Sequence, residues 1–323
     1  MRAWFTDGRG DLWSDTAPMP RPGSGELLLR VLASAVCRTD LHIRDGELPP
    51  RKHPVIPGHE VIGEVVEGTG YPYGTRVGVP WLRYTCAVCG YCRGGKENLC
   101  PNARFTGWDA DGGHAEYLTA PADYVYRLPR GYSVEETAPM LCAGIIGFRA
   151  WRRVELHPGG RLGIYGFGGS AHLALQVAHT AGARVHVFTR STRAQELARE
   201  LGASSAQGSF DLAPEPLDGA IVFAPAGELV PVALRSLDRG GTAVIAGVHL
   251  SPIPSLDYER DLFLERQIRS VTANTRDDGR AFLAFAEQHR LRVRTTSYPM
   301  DHAAQALDDL KADRVDGAAV LRS

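Results

Sequence analysis

Lysine is nearly missing from this 323-residue chain: Lys52, Lys96 and Lys311 are the only three, so almost all basic charge sits on arginine. A GC-rich genome or adaptation to heat would each give that bias, and the sequence does not separate the two. Net charge is also missing, at -1, and no basic stripe runs along the chain. Nothing electrostatic therefore points to nucleic acid or to an anionic membrane as a partner. No apolar run reaches 18 residues, so no membrane span is expected. The opening stretch, MRAWFTDGRGDLWSD, is polar where a signal peptide needs an apolar segment, which implies the cytoplasm. Internal repeats, low-complexity tracts and coiled-coil heptads are absent too. What remains is an ordinary globular composition, 44% hydrophobic and 23% charged, on a chain long enough for two domains.

Four of the six cysteines, Cys86, Cys89, Cys92 and Cys100, fall in CAVCGYCRGGKENLC. Without a secretion signal their thiols are expected to stay reduced, which argues against disulfides. Two-residue gaps let neighbouring sulfurs turn towards one ion, and four thiolates suit tetrahedral Zn²⁺ better than four unrelated thiols. Such a site has no open position, so it is read as a pin for a glycine-rich loop, with the chemistry elsewhere.

The texture changes along the chain. Short strands broken by Pro and Gly fill the first 140 or so residues (GELLLRVLASAV, VIGEVVEG, RVGVP, HAEYLTAP), which predicts a small β-rich domain. From about residue 144 strands and helices alternate. RLGIYGF, ARVHVFTR, DGAIVFAPAG and TAVIAGV read as strands, and GSAHLALQVAHTAG, RAQELARELGA and LVPVALRSLDRGG as helices. That order implies a parallel sheet covered on both faces. DDGRAFLAFAEQHR and MDHAAQALDDLKADR predict two further helices.

GFGGSA, residues 166 to 171, follows the first of those strands and opens a helix. In that context it reads as a dinucleotide fingerprint. Gly166 makes the tight turn, Gly168 admits a pyrophosphate to the backbone, Gly169 follows it in the same turn, and Ala171 lets helix and strand pack. The next strand ends VFTRSTRAQ, with no carboxylate for the ribose hydroxyls of NAD. Thr189, Arg190, Ser191 and Arg193 instead suit a 2′-phosphate, so NADP(H) is favoured and NAD(H) stays possible. The competing view is that these arginines only border a solvated loop.

The last two cysteines are Cys37, in AVCRTDLHI, and Cys142, in APMLCAGIIGF. Singly they look like core residues. With His59 and Glu60 of PGHEVIGEV they form a thiol, imidazole and carboxylate set able to hold Zn²⁺ with an exchangeable position.

CRTDLH, GHE, the four-cysteine lobe, LCAG and GFGGSA, in this order, resemble the zinc-dependent medium-chain alcohol dehydrogenases over essentially the whole chain. The resemblance implies an α/β fold: a β-rich GroES-like catalytic domain plus a Rossmann domain with a doubly wound parallel sheet. It places the catalytic domain at 1–143, with a structural zinc lobe at about 84–101, the cofactor domain at 144–273, and a return to the catalytic domain at 274–323. It also implies a homodimer or homotetramer and two Zn²⁺ per chain. Cys37, His59 and Cys142 match the catalytic zinc ligands and Glu60 the nearby carboxylate that exchanges on and off the ion. Asp40 matches the carboxylate that orients the ligating histidine, Thr39 the hydroxyl that bonds the alcohol, and His42 the outer end of a proton relay. Cys86, Cys89, Cys92 and Cys100 match the structural zinc ligands.

The implied reaction is hydride transfer between a small primary alcohol or aldehyde and the nicotinamide. A metal ion can lower the pKa of a bound hydroxyl from near 16 to about 7, roughly 12 kcal/mol in favour of the anion. Arg38 falls where some relatives hold the pyrophosphate, but Ala318 stands where many carry an arginine for that purpose, and Ile146 where many carry a threonine. Arg38 or Arg276 would compensate, with backbone near Val248 and Asn274 helping to hold the cofactor. Trp81 and Trp108 suggest a narrow pocket for slim substrates. The alternatives are a zinc-stabilised binding module without catalysis, which the second ligand set disfavours, and a family member whose activity has decayed.

Overall fold

The computed structural model describes residues 1–323, and the chain divides into two compact units. One comprises Met1–Cys142 with Ala273–Ser323, the other Ala143–Thr272. In chain order the elements used below are β1 (Glu26–Val36), α1 (Arg38–Arg44), β2 (Glu60–Glu67), β3 (Arg76–Val79), β4 (Tyr117–Pro121) and β5 (Tyr126–Arg127). The second unit holds α2 (Ala143–Val154), β6 (Arg161–Tyr165), α3 (Gly169–Thr180), β7 (Arg184–Phe188), α4 (Thr192–Glu200) and β8 (Ser205–Gln207). It continues with β9 (Leu217–Val222), α5 (Leu229–Ser236), β10 (Leu237–Ile245) and β11 (Gln267–Ser270). The first unit then resumes with α6 (Arg276–Gln288), β12 (Thr295–Pro299), α7 (Ala303–Lys311) and β13 (Ala318–Arg322).

The first unit is built on a seven-stranded sheet in the order β12–β13–β1–β2–β3–β5, with β4 also on β1. The long, mostly buried β1 (ELLLRVLASAV) is its spine. One edge of β1 pairs antiparallel with β2; the other pairs with β4 in its first half and β13 in its second. Leu27, Leu29, Val31, Val61, Val65, Val77 and Leu118 pack one core of this unit. At the end of β1, Val36 and α1 residue Leu41 join α7 and β13 in a second core. The chain leaves β1 straight into α1, and the cap between them is Cys37.

The second unit is a six-stranded parallel sheet in the order β8–β7–β6–β9–β10–β11. Its four central strands, β7, β6, β9 and β10, carry buried apolar runs because both faces are covered there. Strand order reverses at β6, where β7 and β9 flank it and the loops at the carboxyl ends of the strands diverge. Open sheets bind ligands at such a point. Two outer strands, β8 and β11, and the early start of β10 were not foreseen. The helix expected over Leu229 to Gly241 stops at Ser236, and Leu237–Ile245 is strand. Gly240, at φ 73°, and Gly241 disfavour continuing the helix.

Candidate metal and nucleotide sites

Cys37 sits where β1 ends, with extended backbone, and caps α1. Its sulfur accepts the Thr39 N–H at 3.4 Å, and the Asp40 carboxylate returns to accept the Cys37 N–H at 2.9 Å. This capping box holds the thiol in place from both sides. The other oxygen of Asp40 accepts the Gly58 N–H at 3.1 Å and faces His59 Nδ1 at 3.2 Å. One fully buried carboxylate therefore ties the Cys37 turn to the turn carrying His59.

The ligand atoms of Cys37, His59, Glu60 and Cys142 all lie within 4.8 Å of one another. His59 and Glu60 are buried, and His59 Nε2 is fully buried without a hydrogen-bond partner. Leaving such an atom unmade costs about 1–3 kcal/mol. With Nδ1 turned to Asp40, the Nε2 lone pair is the one available to a metal, so the residues fit a Zn²⁺ ion.

The electrostatics agree. The Cys142 thiol, hydrogen-bonded to Cys37, holds the Cys37 thiol well below its ordinary range against the opposing effect of burial, and His59 helps. Cys142 is pushed well above that range by donating to Cys37 and by burial. Burial works against the charged form of His59, but Asp40 and Cys37 outweigh it and raise the imidazole well above its usual value. Burial likewise opposes Asp40, yet His59, His114 and the Cys37 N–H bring it to about 2. Two thiols and two carboxylates thus crowd one imidazole, a donor set that a divalent cation would neutralise.

Cys86, Cys89, Cys92 and Cys100 form the second cluster, again with ligand atoms within 4.8 Å. The Cys89–Cys92 and Cys86–Cys100 sulfurs are each 3.5 Å apart, and all six cysteines are free thiols. A disulfide would need about 2.05 Å, whereas a tetrahedron with Zn–S bonds of about 2.3 Å has sulfurs about 3.8 Å apart. Backbone N–H groups of Val88 and Cys89 bring Cys86 down to about 6. This cluster has four sulfurs and no other donor, the composition of a closed site.

Thr39 is buried beside Cys37, and the Cys37 thiol contacts its hydroxyl at 3.6 Å. His42, in the last turn of α1, places Nδ1 2.5 Å from Glu47. Trp81 presents itself edge-on to His59, with ring centroids 4.9 Å apart. It stacks on Phe105 and Trp108 at 5.0 and 5.8 Å. Phe105 escaped the sequence reading, as did His114, whose buried ring bonds Ser34 and is held near 4 by burial. Its window, DGGHAEYL, reads only as the approach to a strand.

In the second unit Gly166 has φ 86°, and a Cβ there would stand 2.7 Å from the Ala224 backbone nitrogen. A Cβ at Gly168 would meet nothing within 4 Å. Gly168 is the N-cap of α3 and supplies no side-chain cap, so the first-turn amides are left for another acceptor. That bare cradle fits a pyrophosphate. Gly169 begins α3, and a Cβ on it would touch only Ala143, at 3.7 Å. Thr189 is buried after β7, Ser191 caps α4, and Arg190 and Arg193 are exposed. Val248 is 71% exposed.

Three of the residues named for the cofactor have side-chain partners within the first unit. Arg38 pairs with Asp313 at 2.6 Å. Arg276 spends its guanidinium on Glu97, so its charge is neutralised within the first unit. Asn274 is buried, and its amide nitrogen donates to the Thr275 carbonyl at 3.0 Å.

A doubly wound dinucleotide-type unit, with a β-rich unit that gathers two metal-ligand sets, defines the architecture of a metal-dependent dehydrogenase. Residues 23–130 match the family described as Alcohol dehydrogenase GroES-like domain, and residues 169–288 the Zinc-binding dehydrogenase family. A Mycobacterium tuberculosis protein described as Probable alcohol dehydrogenase AdhA is 56% identical, over 99% of this chain and 97% of its own length. Cinnamyl alcohol dehydrogenase SbCAD4 from Sorghum bicolor superposes with a TM-score of 0.91 at 28% identity, covering 99% of this chain and 97% of that one. Acetophenone reductase from Geotrichum candidum, solved in complex with NAD, superposes with a TM-score of 0.90 at 25% identity, covering 100% and 97%. The chain belongs to the zinc-dependent medium-chain alcohol dehydrogenase family.

Proposed function

We propose that the protein interconverts small primary alcohols and aldehydes with a nicotinamide nucleotide, NADP(H) in preference to NAD(H), at the Cys37, His59 and Cys142 site. The observation that carries this reading is the buried, unpartnered His59 Nε2 beside two thiols and the Glu60 carboxylate. When bound there, Zn²⁺ supplies the Lewis acidity that makes a hydroxyl acidic near neutral pH. Asp40 fixes the His59 ring so that Nδ1–H donates and Nε2 keeps its lone pair. Glu60 would be the nearby carboxylate able to coordinate the ion when water or substrate is absent. The Thr39 hydroxyl would hydrogen-bond the substrate hydroxyl, and His42, with Nδ1 against Glu47, would stand at the outer end of the proton relay. The stack of Trp81, Phe105 and Trp108 supplies a rigid apolar wall beside His59 that supports slim substrates.

Cys86, Cys89, Cys92 and Cys100 would hold the second Zn²⁺ as scaffold. The Gly166 to Gly169 turn would hold the pyrophosphate, and Thr189, Arg190, Ser191 and Arg193 the 2′-phosphate. Arg190 and Arg193 are exposed where a phosphate can reach them, and no acid stands among them. Backbone at Val248, in the same unit, would help to hold the nucleotide. Six free thiols suit a reducing compartment such as the cytoplasm. The open edge of β11, with Ile268 on it and exposed Tyr258 and Phe263 nearby, suits a second copy in a homodimer or homotetramer.

A rate survey of short alcohols and aldehydes with both nucleotides, run beside metal analysis, tests this. Wild type is expected to carry two zincs per chain and turn over faster with NADP(H). Cys37→Ser and His59→Ala should carry one, with activity lower by at least about a hundredfold. Full turnover in either variant would refute the site.

A further inference from the structure

The stretch from Asp111 to His114 runs along the turn that delivers His59. The Asp111 carboxylate accepts the Ile56 N–H at 3.1 Å. Three consecutive donors follow: Gly112 N–H bonds the Ile56 carbonyl at 2.7 Å, Gly113 N–H the Gly58 carbonyl at 2.9 Å, and His114 N–H the Pro57 carbonyl at 3.0 Å. All three residues ahead of His59 are thus tied to this stretch. So close an approach leaves no room for side chains, since a Cβ on Gly112 would collide with the Gly58 carbonyl and one on Gly113 with Val61.

His114 joins three segments. Its carbonyl accepts the Trp4 N–H at 2.9 Å, from the strand Arg2–Phe5. Its buried ring is anchored in β1, where Nδ1 and the Oγ of buried Ser34 are hydrogen-bonded at 3.0 Å. The Nδ1 and Cε1 edge of that ring rests on Gly58, because a Cβ there would stand 2.5 Å from Nδ1 and 2.9 Å from Cε1. Gly58 also holds φ 96°, so both its backbone and the ring beside it require glycine. The Gly58 N–H and His59 Nδ1 meet the same oxygen of Asp40, at 3.1 and 3.2 Å. A shift of Gly58 would therefore pull on the oxygen that orients the His59 ring.

We propose that His114 is a positioning residue for the metal site: its ring, anchored on Ser34, is wedged behind Gly58 and so holds the contact of Asp40 with His59. The inference rests on the reading above that Cys37, His59 and Cys142 hold Zn²⁺, and it concerns a residue outside that ligand set. Every residue involved lies within the first unit.

The test uses full-length protein loaded with Zn²⁺, or with Co²⁺ in its place. Zinc release to a chelator and the visible absorption of the Co²⁺ form, which reports ligand geometry, are measured beside the urea midpoint. In His114→Ala one zinc should leave about ten- to a hundredfold faster than in wild type, with a shifted Co²⁺ spectrum, while the other is retained as before. His114→Phe keeps a ring behind Gly58 and should release that zinc at an intermediate rate. Leu27→Ala opens a cavity at the far end of β1 from Cys37 and should lower the urea midpoint while leaving release and spectrum as in wild type. If Leu27→Ala speeds release as much as His114→Ala, or if the Co²⁺ spectrum of His114→Ala matches wild type, the role is one of general stability and the proposal falls. Equal rates in His114→Phe and His114→Ala also overturn it, because the ring would then not be the wedge. Should His114→Ala not fold, Ser34→Ala removes the anchor alone and should speed release about threefold; an unchanged rate overturns the proposal. A wild-type chain with a single zinc that Cys37→Ser also keeps would refute the metal reading itself, a distinct result.

Discussion

Two glycines two positions apart do separable work, and substitution tells them apart. Gly166 needs its φ of 86°, and a Cβ would press to 2.7 Å on backbone at Ala224. Gly166→Ala should therefore cost about 2–4 kcal/mol, the left-handed penalty plus overpacking, read as a lower midpoint in urea. Gly168 has φ -126° and open space around a Cβ, so Gly168→Ala should leave stability within about 0.5 kcal/mol. Its cost should appear in nucleotide binding, with Kd higher by about tenfold or more, because the methyl group takes the space of the pyrophosphate. A destabilised Gly168→Ala with normal nucleotide affinity would refute that division. Both glycines were legible in the sequence, because a strand before and a helix after give GFGGSA its mechanical meaning. Arg276 was not. It reads as a free cation near the cofactor, and its partner Glu97 lies 179 residues away, inside a motif already explained by its cysteines. A local window shows charge but never its long-range neutralisation.

At the scale of elements, the junction of β6 and β9 is fixed by one ion pair at the entry of both strands. Asp218 accepts the Arg161 backbone N–H at 2.8 Å, Nε at 2.9 Å and Nη2 at 2.6 Å. Asp238 and His157 also face the pair. Hydrogen bonds from Arg161 bring the Asp218 carboxyl down to about 2. A carboxyl lowered in the folded state stabilises it above its unfolded pKa, near 3.8, and that contribution disappears as pH falls through about 2. The side chain is 19% exposed, and screening reduces the gain to on the order of 1 kcal/mol. Asp218→Asn should therefore cost about 1 kcal/mol at pH 6, and the difference from wild type should shrink between about pH 4 and pH 2. Urea midpoints of both proteins over that range check it; a difference that does not change with pH would show that the charge plays no part. The four strands at the centre of this sheet were legible as apolar runs between helices. Gln267–Ser270 was not, because an exposed edge strand carries no apolar run. Leu237 was misassigned because periodicity continues through LRSLD, while the Gly240 and Gly241 pair just beyond it carried the breaking signal.

For the whole molecule, chain order and unit membership diverge. The change of texture near residue 144 is visible in the sequence itself, whereas the return of the tail at 274–323 is expected only from the family resemblance, because no local window shows that β13 pairs with β1 across the length of the chain. Ala319 lies opposite Val36, the residue before Cys37, and α7 with β13 packs against Val36 and Leu41. The tail thus backs the strand end and helix that present Cys37, Thr39 and Asp40. A protein ending at Thr272 would lose β12, β13, α6 and α7 and leave the second half of β1 unpaired on one edge. It should fail to retain zinc at Cys37 and His59, although all four ligands of that set are still present. The stretch 143–272 has its six strands and their helices contiguous in sequence, with apolar cores on both faces. Alone it should unfold cooperatively on heating and bind nucleotide weakly without any zinc. Metal analysis and thermal melts of the two truncations decide the matter. A 1–272 protein carrying two zincs per chain would show that the return segment is dispensable for the metal site, and that β1, β2 and β4 suffice to hold Cys37 in place.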